Sequence, residues 1–204
     1  MNLDLFDTGD QQPQKISLPD AELLYWPNFF CTSQAQYWYE KLINSIQWQE
    51  KVVHMYGRDV LVPRLSAWYA DLGKDYTYSE ALHIPLEWTE ELSTIKNDVQ
   101  NRTNAQFNSV LCNLYRDGKD SVAWHSDDEP ELGIEPVIAS VSFGETRAFK
   151  MRHKKDTQQN FSLELSSGSC LIMRGATQAC WEHQIAKTTR VLTPRINLTF
   201  RLIS

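Results

Sequence analysis

The chain has 204 residues, with 20 Lys and Arg against 26 Asp and Glu, and a formal net charge of −6. That is the size of one domain with room for a sizeable core, and eight Phe, eight Tyr and seven Trp exclude a largely disordered chain. No run approaches the roughly 18 apolar residues of a membrane span, the acidic start lacks a secretory leader's basic and apolar regions, and four cysteines without paired spacing argue against a disulfide framework; a monomer away from membranes, cytoplasmic or, in a eukaryote, nuclear, is expected.

In chain order, residues 1–20 are polar and acidic and read as a flexible tail ahead of one folded unit over 21–204. A helix is predicted with Thr32-Ser33 as its cap, running to about Ile46, because Trp38, Leu42, Ile43 and Ile46 share a face. A second begins near Pro85 and carries Trp88, Leu92, Ile95 and Val99 at helical spacing. After residue 106 the period changes to two. Strands are predicted at Phe107–Tyr115, Val122–Asp127, Val137–Phe143, Arg147–Arg152, Phe161–Leu165, Ser169–Arg174, Ala179–Ile185 and Arg195–Ile203. Turn signals such as Asp117-Gly118 and Ser166-Ser167-Gly168 separate them. Eight short strands with regular turns suggest an α+β, mainly β fold, a double-sheet barrel or a double-stranded β-helix (jelly-roll) core over 106–204, with flanking N-terminal helices.

Charge is unevenly placed. Residues 1–50 hold two bases and seven acids, a net of −5, which leaves −1 for the rest. Within that rest, Arg147, Lys150, Arg152, Lys154 and Lys155 fall in nine residues, a strip able to neutralise phosphates whatever the net charge. A merely solvated hairpin explains the same strip equally well.

Along Arg195–Leu202, the alternation puts Ile196, Leu198, Phe200 and Leu202 on one face and Arg195, Asn197, Thr199 and Arg201 on the other. A solvent-facing polar side would alternate in the same way. Asn113 and Tyr115 also share a face, as do His125 and Asp127, and His183 follows 58 residues after His125. Two His and one carboxylate facing one metal leave positions open for substrate and dioxygen, the arrangement of non-haem Fe(II) oxygenases. A His-x-Asp tripeptide is weak by itself, and zinc at the same three residues, or a Cys180/His183 metal pair, is equally allowed. Arg195 and Arg201 narrow the choice: two guanidiniums turned into a barrel are costly unless an anion meets them, and a small dicarboxylate would meet both.

These residues resemble the AlkB-type Fe(II)/2-oxoglutarate dioxygenases that dealkylate nucleic acids. The resemblance rests on Cys112–Gly118, His125–Glu129, Ala139–Gly144, Leu171–Met173, His183 and Pro194–Arg201, in order, and covers roughly residues 22–204. It implies that His125, Asp127 and His183 ligate Fe(II) as the catalytic centre. It implies further that Arg195 and Tyr115 hold the distal carboxylate of 2-oxoglutarate, that Asn113 and Arg201 lie at its metal-chelating end, and that Asn197 and Thr199 line the same pocket. The implied reaction is oxidative demethylation of 1-methyladenine and 3-methylcytosine type bases in DNA, with RNA as a further substrate. It consumes O2 and 2-oxoglutarate and releases formaldehyde, succinate and CO2.

Bases blocked at their pairing edge are cheaper to flip into such a site. By the same resemblance, residues 21–105 would contain substrate-recognition hairpins, with Arg64, Tyr76 and Tyr78 around the flipped base, Asp128 and Glu129 favouring its cationic form, and Tyr56 as the wedge filling the gap in a duplex. The strip Arg147–Lys155 would grip phosphates. Residues near Arg64 look closer to the single-strand member of the family, so single- and double-stranded DNA both stay open. Asn2-Leu3-Asp4-Leu5-Phe6 resembles the short peptide with which bacterial proteins dock on the replication sliding clamp. Two other readings remain: an oxygenase acting on a protein or small molecule, and a non-catalytic, metal-stabilised barrel that binds nucleic acid.

Overall fold

The computed structural model describes residues 9–55, 57–73, 76–78, 81–83 and 85–204, with the backbone alone at 53–55, 76–78 and 81–83. Tyr56 and the clamp-like peptide at residues 2–6 lie outside the described residues, as do the side chains of Tyr76 and Tyr78. In chain order the elements are β1 (Gln14–Leu18), β2 (Ala21–Trp26), α1 (Thr32–Ser45), β3 (Gln49–Met55), β4 (Arg58–Ala70), β5 (Tyr76–Tyr78), β6 (Ala81–His83) and α2 (Glu90–Thr103). They continue with β7 (Ser109–Tyr115), β8 (Val122–His125), β9 (Ile138–Gly144), β10 (Arg147–His153), β11 (Asn160–Leu165), β12 (Cys170–Arg174), a single helical turn α3 (Thr177–Cys180), β13 (Trp181–Ile185) and β14 (Arg195–Arg201).

Antiparallel pairing builds a large sheet in the order β1-β2-β12-β9-β14-β7-β4-β3 and a smaller one in the order β11-β10-β13-β8. The two sheets face each other as a jelly roll, as predicted. The central strands of the large sheet are buried on both faces. Ile196, Leu198 and Phe200 of β14 pack with Leu42 of α1 and Leu92, Ile95 and Val99 of α2. Between the sheets a second core gathers Leu23, Tyr115, Ile138, Phe149, Met151, Leu171, Met173, Trp181 and Ile185. The polar residues of β14 therefore point into the barrel and not to solvent: Arg195, Asn197 and Thr199 are all buried.

Local chemistry sets where the elements begin. The second helix starts later than its apolar spacing suggests, because Thr89 Oγ1 accepts the Leu92 backbone N–H at 3.2 Å and caps it there. Pro85–Trp88 stay outside it, and Leu86 forms a bridge to Tyr69. The first helix is capped one residue earlier than predicted, at Cys31, whose N–H donates to Gln34 Oε1 at 3.1 Å. Gly144 turns the chain from β9 to β10 at φ +83°, with the Pro194 carbonyl oxygen 2.5 Å from where a Cβ would sit, so both conformation and space demand glycine.

Two further expectations are corrected. Residues 14–18, read as part of a flexible tail, are a strand paired with β2, because Ile16 and Leu18 pack against the inter-sheet core and Trp181 Nε1 donates to the Pro19 carbonyl at 2.8 Å. The strand predicted over Ala179–Ile185 begins only at Trp181, since residues 177–180 close a helical turn with Cys180 N donating to Ala176 O.

Candidate metal centre and its pocket

β8 and β13 are neighbours in the small sheet, and their register places His125 opposite His183, with an irregularity just beyond His183. The two imidazole centroids are 4.3 Å apart. Asp127 does not come from a strand: β8 stops at His125, two residues earlier than predicted. The carboxylate is placed instead by its flanking hydrogen bonds, Asp127 N–H to Gln178 Oε1 at 2.9 Å and Ser126 Oγ to the Trp181 carbonyl at 2.9 Å. One donor atom from each of His125, Asp127 and His183 lies within 4.8 Å of the others. Three such atoms on one side of an ion leave its other positions free.

Protonation suits ligation. His125 Nδ1 is 2.8 Å from the Ala123 carbonyl oxygen, which can only accept, so the proton sits on Nδ1 and the Nε2 lone pair is free. Burial, then the adjacent His125, pushes the His183 pKa down to about 3, leaving a neutral imidazole over the working range. Burial also works to raise the Asp127 carboxyl, but Arg201 and the two imidazoles outweigh it and hold it below the ordinary carboxylate value.

The pocket behind this centre is lined by alternating residues of β14 and their cross-strand partners. Arg195 is opposite Tyr115 and Asn197 opposite Asn113 on β7, while Asn197 and Thr199 face Ser142 and Ser140 on β9. Arg195 is 1% exposed and donates from Nη2 to Ser142 Oγ at 3.0 Å, yet its Nε and Nη1 have no partner among the described residues. Its guanidinium carbon lies 5.1 Å from the Tyr115 ring centroid. A buried guanidinium with unpaired donors is costly, and a carboxylate fork satisfies it. Asn197 Nδ2 donates to Ser140 Oγ and Thr199 Oγ1 to Asn197 Oδ1, so this wall is held by its own network. Arg201 lies at the other end, against Asp127.

The remaining expected site residues divide. Arg64 belongs to the pocket wall, donating from Nε to Asn113 Oδ1 at 2.7 Å and from Nη1 to the Ser121 carbonyl. Asp128 is exposed and paired with Lys154 Nζ at 3.0 Å, while Glu129 has a buried Oε2 without a partner among the described residues. The strip Arg147–Lys155 is not one surface. Alternation along β10 exposes Lys150 and Arg152 and buries Arg147, which is 4% exposed and hydrogen-bonded to the carbonyls of Asp117, Asp120 and Ala186. Arg147 therefore cannot reach a phosphate. Arg152 is paired with Glu182 and lies over Trp124, and Lys154 also donates to the Gln178 carbonyl, which leaves Lys150 and Lys155 as the exposed cations of the strip without an ion-pair partner among the described residues.

Sequence reasoning missed Ser140, Ser142 and Gln178. The first two carried a signal, since two polar residues two apart in Ala139-Ser140-Val141-Ser142 are anomalous in a strand buried along its whole length. Gln178 carried none. Asp20, His153 and Cys180 also bring donor atoms together, but His153 Nδ1 accepts from the backbone N–H groups of Lys155 and Asp156, which puts the ring proton on Nε2 facing Asp20 and blocks that nitrogen for a metal.

A jelly roll with two imidazoles and a carboxylate at one end of a pocket, and an unsatisfied arginine in its wall, is the build of a non-haem metal oxygenase with an anionic co-substrate. Residues 22–201 match the 2OG-Fe(II) oxygenase superfamily, and the chain belongs to that family. It is 43% identical over 192 residues to the alpha-ketoglutarate-dependent dioxygenase alkB homolog 3 of Homo sapiens, covering 90% of this chain and 66% of that protein. To the DNA oxidative demethylase ALKBH2 it is 41% identical over 158 residues in Homo sapiens (74% of this chain, 60% of that one) and 33% over 209 residues in Arabidopsis thaliana (90% and 67%). The chain thus spans just under two thirds of the length of the human alkB homolog 3. The solved structure of OsALKBH1 shares the fold, with a TM-score of 0.66 at 16% identity over 93% of this chain and all of that one. The donor set found here fits the iron and 2-oxoglutarate of the family: two imidazole nitrogens, an ionised carboxylate, and guanidinium N–H groups awaiting an anion.

Proposed function

We propose that this protein is an Fe(II)- and 2-oxoglutarate-dependent oxidative demethylase of N-alkylated DNA bases of the 1-methyladenine and 3-methylcytosine type. The observation that carries the reading is Arg195, buried with Nε and Nη1 unpaired among the described residues, in the pocket that ends at His125, Asp127 and His183. The DNA substrate is inferred from the names of the relatives. Iron and 2-oxoglutarate, when bound, supply with dioxygen the oxidation of the N-methyl group, giving formaldehyde, succinate and CO2.

The chain's own residues do the rest. His125, Asp127 and His183 hold the metal on one side, and Arg201 keeps Asp127 ionised and aimed. Arg195 takes the distal carboxylate of 2-oxoglutarate beside Tyr115, while Asn113, itself fixed by Arg64, and Asn197 with Thr199 shape the channel between. Phe149, 5.0 Å from the His183 ring, and Met173 keep that end apolar and exclude water. Asp128 and Glu129, next along the chain from Asp127, favour a cationic base over its neutral form. Tyr76 and Tyr78 are proposed to contact the flipped base and Tyr56 to act as the duplex wedge, on the family resemblance alone. The same holds for docking of residues 2–6 on a sliding clamp and for a monomeric state. Deleting residues 1–8 tests the clamp contact in a pull-down.

The test is anaerobic reconstitution with Fe(II), followed by air, 2-oxoglutarate and an oligonucleotide bearing one 3-methylcytosine, as single strand, as duplex and as RNA. Mass spectrometry reads loss of one CH2 from the base. A loss that requires iron, 2-oxoglutarate and Asp127 supports the reading. Succinate formation without base repair sinks the DNA substrate and keeps the oxygenase.

A further inference from the structure

Arg147 is the one member of the basic strip that turns inward, and what it meets is specific. Its Nη1 donates to the Asp117 carbonyl at 3.2 Å, and its Nη2 donates to the carbonyls of Asp120 at 3.0 Å and Ala186 at 2.8 Å. Asp117 and Asp120 lie in the turn between β7, which carries Asn113 and Tyr115, and β8, which carries His125. Ala186 immediately follows β13, which carries His183. One side chain thus ties together the ends of three site-bearing strands.

Its hydrogen bonds do not neutralise its charge, although the carboxylates of Asp120, Asp117 and Glu145 act on it through space. All three hydrogen bonds go to carbonyl dipoles, and the nearby Asp120 carboxylate is taken by Arg116, at 2.8 Å from Nε and 3.0 Å from Nη2. Arg147 and Arg195 both lie over the Tyr115 ring, their guanidinium carbons 5.6 and 5.1 Å from its centroid. Two buried cations at one tyrosine repel each other in a medium that screens poorly. A neutral donor would tie the strands without that penalty. An anion bound at the Tyr115 wall would relieve that repulsion for both arginines.

We propose that Arg147 is a positioning residue of the 2-oxoglutarate pocket: held by three carbonyls, its buried charge acts with Arg195 to select a co-substrate carrying a distal carboxylate, and it fixes the Tyr115 wall beside that carboxylate. This rests on the function proposed above. It makes the pocket's preference for a dicarboxylate a property of two arginines on different strands.

The test is isothermal titration of the Fe(II)-loaded protein, kept anaerobic, with 2-oxoglutarate and with 2-oxobutyrate, which keeps the 2-oxo acid end and lacks the distal carboxylate. Arg147→Gln is expected to raise the Kd for 2-oxoglutarate about tenfold and to leave that for 2-oxobutyrate within about threefold. Arg147→Lys, which keeps the charge, is expected to restore most of the ratio. Equal weakening of both acids, an unchanged 2-oxoglutarate Kd, or a Lys variant no better than Gln overturns the proposal. If Arg147→Gln fails to fold by circular dichroism, the Lys variant decides alone: a ratio within about threefold of the parent supports the proposal, and a loss of about tenfold overturns it. A parent protein that does not distinguish the two acids overturns the functional reading itself.

Discussion

Arg201 donates from Nη2 to Oδ1 of Asp127 at 2.5 Å, an ion pair with only 11% and 3% of the two side chains exposed. Breaking a buried pair from one side leaves an uncompensated charge and costs about 3–5 kcal/mol. Arg201→Met is therefore expected to lower the stability of the metal-free protein by that order in urea unfolding, and added Fe(II) to recover part of it. A variant as stable as the parent without metal would mean that the pair contributes nothing.

Arg195 leads to the opposite expectation. Its donors, unpaired among the described residues, are a liability until the co-substrate arrives, and each unmade buried hydrogen bond costs about 1–3 kcal/mol. Arg195→Met should unfold at the same temperature as the parent or higher. At 2-oxoglutarate about 100-fold above the parent's Kd, the parent should gain about 2.7 kcal/mol and the variant almost nothing. A variant clearly less stable without ligand would show that Arg195 serves the fold first.

The acid limb of stability should include Asp120. Burial acts to raise this carboxyl, but its hydrogen bonds with Arg116 outweigh burial and hold it below the ordinary value. A group depressed in the folded state contributes stability fully above its unfolded pKa, near 4, and loses it as pH falls through the folded pKa. Asp120→Asn should thus be less stable than the parent at neutral pH and converge with it in acid. Parallel melting curves across that range would refute this.

For DNA affinity, the exposed cations matter and the buried one does not. The Lys150→Ala, Lys155→Ala double variant should weaken binding with little regard to sequence. It should also flatten the salt dependence by about 0.7 in log–log slope per lost contact on a single strand, or about 0.9 on a duplex. Lys154→Ala should do less, its ammonium being already engaged by Asp128 and the Gln178 carbonyl.

The chemistry-bearing residues of β14 are legible because that strand alternates so regularly that Arg195, Asn197 and Thr199 sort themselves from Ile196, Leu198 and Phe200. Alternation alone does not say which face is inside. That follows from α1 and α2 covering the apolar face, a long-range contact with no local sign. Asp127 lies beside His125, but the pleat does not put it there: the Gln178 side chain and the Trp181 backbone carbonyl, both distant in sequence, hold residues 126 and 127 beyond the end of the strand. The same cause explains Arg147, where a count of basic residues along the chain ignored the pleat that turns one of them inward. The β1 strand was hidden because Ile16 and Leu18 are its only apolar residues and sit among polar neighbours.

The centre of the large sheet has no spare face, and this bears on how such a chain can vary over evolutionary time. Insertion or deletion of one residue within β14 would exchange Arg195, Asn197 and Thr199 with Ile196, Leu198 and Phe200, emptying the pocket of its polar groups and driving them into the helix-covered core in one event. Substitutions can be tried there one at a time, but length cannot. Drift in length is left to turns such as the one around the fully exposed Val191, outside any strand.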